Sequence, residues 1–151
     1  MLPQIETILY ATGLGQGAPY VFRYALTMAR QHQAKIVAVH ALEPLSPFGQ
    51  SLVEQYISHD SSEELHSKAR ETVKAQLQQR METLCARECS GASDCRDLVS
   101  AIHIVEGYPD QVILNTAKAC SADLIIMGAH RHTRIGEVML GSTARIYRGS
   151  T

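Results

Sequence analysis

The chain has 151 residues, 45% of them hydrophobic and 19% charged, with ten glycines and a formal net charge of −1. That length suits one hydrophobic core and is short for two, since domains run about 100 to 200 residues, and the composition is that of a globular protein rather than a disordered or collagen-like one. With 14 Lys and Arg against 15 Asp and Glu there is no global basic field to hold a polyanion, which argues against bulk nucleic-acid binding.

The first predicted element is a buried strand over residues 8–12, Ile-Leu-Tyr-Ala-Thr, short and bounded by turn residues. Pro19 then suits the first turn of a helix whose Phe22, Leu26 and Ala29 share a face at i, i+4, i+7. A second strand is predicted over residues 35–42. Residues 43–59 form the one long irregular stretch, with Pro44, Pro47 and Gly49 as breakers; a loop of that length is expected to be a lid, a partner surface or a mobile connection.

A longer helix follows, carrying Leu65, Ala69, Val73, Leu77 and Met81 at four-residue steps on an expected buried face, with Ser61 and Glu64 in capping-box spacing. The third strand spans residues 98–105. A third helix starts at Pro109, with Asp110 in its first turn and Val112, Ile113, Thr116, Ala117 and Cys120 turned inward. Residues 124–127, Leu-Ile-Ile-Met, are apolar throughout, which suits a strand covered on both faces and expected at the centre of the sheet. A last helix is expected from Gly141-Ser142-Thr143 to Arg148. The alternation β-α-β-α-β-α-β-α implies a parallel α/β sheet with helical crossovers, in one domain over residues 1–151.

No apolar run approaches the ~20 residues needed to cross a bilayer, and the first seven residues lack the basic and apolar regions of an export signal. The expected compartment is the cytoplasm, with no membrane attachment. On that ground Cys85, Cys89, Cys95 and Cys120 are expected to be free thiols, and the C-x3-C-x5-C spacing of the first three matches no usual zinc site.

The residues best suited to chemistry lie over 128–142. A buried parallel strand delivers its C-terminal end to the crevice where open α/β sheets bind ligands, and glycines let backbone amides approach an anion. Gly128 opens this loop, Gly141-Ser142-Thr143 closes it into a helix, and Arg131, His132 and Arg134 add cationic or polar side chains suited to a phosphate chain. The plain alternative is that the glycines only end a strand and cap a helix. A competing motif, Gly13-Leu14-Gly15-Gln16-Gly17-Ala18, fits the G-x-G-x-x-G/A dinucleotide fingerprint, but the acid expected ~20 residues on arrives late, as Glu43 beside Pro44.

His40 and His103 lie inside predicted strands and read as packing residues; His130 and His132 lie in the loop with no carboxylate fixed beside them. Asp123 precedes its strand at the end opposite the loop and reads as structural. No nucleophile elbow, P-loop or paired-carboxylate signature occurs, so a dedicated catalyst is not expected.

Several segments together resemble the universal stress protein family: Ile8-Leu9-Tyr10-Ala11-Thr12, Val39-His40-Ala41, Glu106-Gly107-Tyr108-Pro109, Asp123-Leu124-Ile125-Ile126-Met127-Gly128 and Gly141-Ser142-Thr143-Ala144. The resemblance covers almost the whole chain apart from the middle loop. It implies a doubly wound, Rossmann-like sheet of order 3-2-1-4-5 with helices on both faces; because the chain stops soon after the last helix signal, the expectation here is 3-2-1-4 with the fifth strand missing. In the family that strand often pairs across a dimer axis, so a homodimer is implied.

The family's nucleotide binders carry G-x2-G-x9-G-[ST]. Gly128, Gly141 and Ser142 match it, Arg131 stands at the second glycine, and Gly13 stands where those binders have an Asp at the end of the first strand. The loss at Gly13 forfeits a polar contact and removes a repulsion toward phosphates. Arg131 would cost about 1 to 2 kcal/mol if its backbone needed positive φ, or could instead bond a phosphate. The resemblance implies ATP or AMP, with Mg where phosphates require it, held by Gly128, Gly141, Ser142 and Thr143 at the phosphates. Thr12, Gly13, Ala41 and Met127 would border base and ribose, and Ala11, His130 and Arg131 complete the set. The implied function is a stress-response regulatory protein that binds an adenine nucleotide and couples it to dimerisation or to a protein partner. The alternatives are a nucleotide-free interaction module and a weak ATPase or autokinase.

Overall fold

The computed structural model describes residues 1–44, 62–89, 96–131 and 138–139. Four parallel strands, β1 (Thr7–Ala11), β2 (Lys35–Leu42), β3 (Val99–Glu106) and β4 (Leu124–Met127), form a sheet of order β3-β2-β1-β4. Helix α1 (Ala18–His32) connects β1 to β2, α2 (Ser62–Glu88) precedes β3, and α3 (Pro109–Ala119) connects β3 to β4. Four strands and three helices therefore stand where the hydrophobic pattern puts them. The helix expected over 141–148 and most of the 43–59 loop lie outside the described residues.

β1 shows why the sheet needs cover on both sides. Ile8 and Tyr10 are fully buried in one cluster with Phe22, Ala25 and Ala29 of α1 and Met81 and Cys85 of α2; Leu9 and Ala11 enter a second cluster with Val112 and Ile113 of α3. Alternate side chains of one strand point to opposite faces, so α1 and α2 pack on one face and α3 on the other. Connections after β1 and β2 thus run on one side and the one after β3 on the other, which puts the reversal between β1 and β4. Each large side chain so buried contributes about 1.5 to 3 kcal/mol.

Two expectations about packing are corrected. Among the described strands β4 stands at the edge rather than at the centre, pairing with β1 alone and half-buried at all four positions. An all-apolar run reports cover on its faces, not neighbours at its edges. On α2, Met81 is buried and Leu77 half-buried, but Ala69 and Val73 are exposed. A 27-residue helix is about 40 Å long, whereas the eight-residue β3 spans about 26 Å. The N-terminal part of α2 therefore projects past the C-terminal edge of the sheet, where Lys74 meets Glu106, the last residue of β3, at 3.7 Å.

Local chemistry sets the joints. Pro19 occupies the first turn of α1, and the helix ends on Gln33 in the left-handed region at φ 54°, with Ala34 N donating to Ala29 O at 2.8 Å. Gly107 has φ 144°, and a Cβ there would lie 2.9 Å from Val112 Cγ2, so glycine is required for the turn from β3 into α3. At the foot of the sheet Asp123 Oδ2 accepts the amides of Glu6 and Thr7 at 2.9 and 3.1 Å, and its own amide donates to Thr7 O at 2.8 Å. The structural role expected of Asp123 is what it performs.

Cys85 and Cys120 are free, whereas Cys89 is disulfide-bonded. The free-thiol expectation is corrected at Cys89, because compartment reasoning does not see the approach of one sulfur to another.

Candidate binding cleft

A cleft of about 660 Å³ opens at the C-terminal ends of β1, β2 and β4, within the size range of small-molecule sites. It sits where the connections reverse direction, the usual ligand position of an open α/β sheet. Ala11, Thr12, Gly13, Ala41, Met127 and Gly128, all named from the sequence, line it together. They come from three strand ends that the topology makes neighbours, β1 lying between β2 and β4.

One wall is the loop from Gly13 to Gly17 and the N-terminus of α1. Cβ atoms at Gly13, Gly15 and Gly17 would meet nothing within 4 Å, so the backbone itself forms the surface. Among the described residues the amides of Gly13, Gly15, Gln16 and Gly17 donate to nothing. The loop is nonetheless fixed. Leu14 holds φ 59°, its amide donates to Thr12 Oγ1 at 3.0 Å, and its carbonyl accepts Arg80 Nη2 at 3.1 Å. Tyr10, buried against Phe22 with ring centroids 5.1 Å apart, donates its hydroxyl to Ala18 O at 2.7 Å and anchors the first turn of α1. Burial raises the Tyr10 pKa to about 12.

The floor and opposite wall are apolar, from Val39, Ala41, Ile113 and Met127, with Pro109 at the side. At β4 a Cβ on Gly128 would approach Val21 Cγ2 to 3.2 Å, so glycine allows α1 to lie close against the strand end. His40, read from sequence as packing, borders the cleft half-buried with Nδ1 2.8 Å from Thr12 O. The carbonyl can only accept, so Nδ1 carries a proton. His103 is exposed on β3.

Past Gly128 the backbone forms β5 (His130–Arg131), antiparallel to β6 (Val138–Met139), with Arg131 opposite Val138. An extended backbone at Arg131 has no need of a glycine's positive φ, so the strain weighed for that position does not arise. Gly141, Ser142 and Thr143, with His132 and Arg134, lie outside the described residues.

Sequence reasoning passed over Val39, Ile113, Pro109 and Glu43 as lining residues. The signal was available for Glu43, the residue after β2, had acids been placed by strand ends rather than by a fixed count from the glycines.

The sequence matches the model of the universal stress protein family over residues 4–146. The chain belongs to the universal stress protein family. No curated protein matches it significantly. Among solved structures, this universal stress protein is similar to the universal stress protein UspA from Lactobacillus plantarum, with 22% identity, a TM-score of 0.60 and coverage of 95% of this chain and 90% of that one. The solved structure of hypothetical protein MJ0577 matches at 22% identity and a TM-score of 0.64, covering 99% of this chain and 92% of that one. A universal stress protein in complex with cAMP is a more distant match, 14% identical with a TM-score of 0.44 and coverage of 82% and 72%. The first two share the doubly wound α/β fold with this universal stress protein. Among the described residues no helix is long and apolar enough to cross a membrane.

Proposed function

We propose that this universal stress protein is a cytoplasmic regulatory module that binds an adenine nucleotide, ATP or AMP, and couples occupancy to homodimerisation or to a protein partner. One observation carries the reading: the amides of Gly13, Gly15, Gln16 and Gly17, which donate to nothing among the described residues, line one cleft together with the apolar Val39, Ala41, Ile113 and Met127. An adenine ring is a flat, largely apolar body that such a wall receives. Phosphates are acceptors that unpaired amides and a helix N-terminus attract. Ala11, Thr12, Gly13, Ala41 and Met127 border base and ribose, and Gly128 leads toward the phosphates. His130, Arg131, Gly141, Ser142 and Thr143 follow in sequence as further phosphate contacts. Mg accompanies ATP through its phosphates; the described residues contain no group of three His, Cys, Asp or Glu suited to hold a metal ion.

Calorimetry and thermal unfolding with ATP and AMP test the reading. Saturation at a hundred times Kd should stabilise the fold by about 2.7 kcal/mol. No heat and no rise in Tm at millimolar nucleotide would overturn it.

A second reading, protein contact without nucleotide, draws on α1, where Tyr20 and Tyr24 are 60% and 56% exposed and pair edge to face at 5.2 Å. Exposed aromatics of this kind recur at interfaces. If it holds, a Tyr20→Ser, Tyr24→Ser variant loses self-association measured by sedimentation while the parent ignores nucleotide.

A further inference from the structure

We propose that Glu43 reads the ribose of the bound nucleotide, its carboxylate accepting the 2′- and 3′-hydroxyls, so that the cleft selects nucleotides with a free ribose diol. The inference rests on the adenine-nucleotide reading above and adds to it a residue and a specificity.

Glu43 directly follows β2 and lines the same cleft as the Gly13–Gly17 loop. It is the sole carboxylate among the described lining residues, and with the described residues it makes no hydrogen bond or ion pair. Among the described residues its acceptor capacity is therefore unspent. Four backbone acceptors nearby already hold a donor: Thr12 O by His40, Leu14 O by Arg80, Val39 O by the Thr12 amide and Leu42 O by the Gly107 amide at 3.0 Å. A ribose diol brings two hydroxyl donors side by side, and a carboxylate is the acceptor that takes both.

Position agrees with chemistry. In dinucleotide-binding α/β sheets the ribose hydroxyls meet an acid at the end of the second strand, while the pyrophosphate sits at the first helix N-terminus. Here the glycine loop and Glu43 occupy those two places around one cleft. Glu43 at β2 and Gly128 at β4 are separated by β1, two strand spacings or about 10 Å. That distance keeps the carboxylate clear of phosphates held at the β4 side and leaves it free to act on the sugar.

The test is titration calorimetry of the intact chain with AMP, 2′-deoxy-AMP, 3′-deoxy-AMP and 3′,5′-cyclic AMP, in the parent and in Glu43→Ala and Glu43→Gln. The parent should bind AMP roughly ten- to a hundredfold more tightly than either deoxy form, as expected for a hydrogen bond to a charged group. Cyclic AMP, which lacks a free 3′-hydroxyl and sets a phosphate there, should bind at least as weakly. Glu43→Ala should bind AMP and deoxy-AMP alike, and Glu43→Gln should retain a reduced preference. Glu43 is exposed, so an unchanged ligand-free Tm verifies that the variants fold. Equal affinity of the parent for AMP and its deoxy forms, or an undiminished preference in Glu43→Ala, would overturn this inference while leaving nucleotide binding intact. A parent that binds none of the four overturns both.

Discussion

Tyr10 joins the core to the cleft. Its ring fills the α1 face of the sheet, and its hydroxyl holds the carbonyl of Ala18 at the start of α1. Tyr10→Phe keeps the ring and removes the bond, so the loss measured by urea unfolding should be about 1 kcal/mol. The pH dependence has a definite sign. Burial raises the folded-state pKa to about 12, above the ordinary value near 10, so the neutral phenol stabilises the fold below about pH 10 and that contribution is lost as pH rises toward 12. Urea unfolding of the parent should weaken more steeply than that of Tyr10→Phe across this alkaline range; parallel curves would show that the phenol ionises as freely in the fold as outside it.

At the scale of elements, α2 is uneven along its length. Met81, Cys85 and Cys89 are buried, while residues 67–73 are exposed. Helical stability in proteins derives mostly from tertiary packing, so amides of residues 67–76 should exchange with deuterium well ahead of those of residues 81–88. Uniform protection along the helix would mean that the projecting segment has cover of its own. This unevenness also marks what the sequence could reveal. Apolar runs at β1, β2, β3 and β4 were legible because parallel strands are buried on both faces, and the cleft residues Ala11, Thr12, Gly13, Ala41, Met127 and Gly128 were legible because such strands present their ligands at their C-terminal ends. The exposed turns of α2 were not legible, since a four-residue step records which side of a helix is apolar and not where the sheet beneath it stops. The pair β5 and β6 escaped notice because two residues per strand are too few to show alternation. Glu43 was visible but discounted, a fixed residue count having been applied where a strand end was the proper ruler.

For the whole molecule, stability against acid turns on carboxylates whose pKa is depressed in the fold. Asp123 is one. The backbone amides of Glu6 and Thr7 hold its carboxyl below the usual carboxylate range. A group whose folded-state pKa is depressed stabilises the fold above its unfolded pKa and loses that contribution as pH falls through the folded value. Thermal unfolding of the parent should therefore decline through the acid range more steeply than that of Asp123→Asn, whose side chain does not titrate; matching acid slopes would remove Asp123 from the account of acid unfolding.

The same three bonds at Asp123 act on something more distant. Parallel strands whose contact is four residue pairs, as between β1 and β4, are open to sliding. A shift of a single position would carry Ile125 and Met127 together from the α3 face of the sheet to the opposite face and take Gly128 off Val21. Asp123 takes two successive amides of the neighbouring segment and returns its own to Thr7, a pattern available at one alignment. The seating of Gly128 at the mouth of the cleft is thus indexed from the far end of the strand, by a residue that takes no part in lining the cleft.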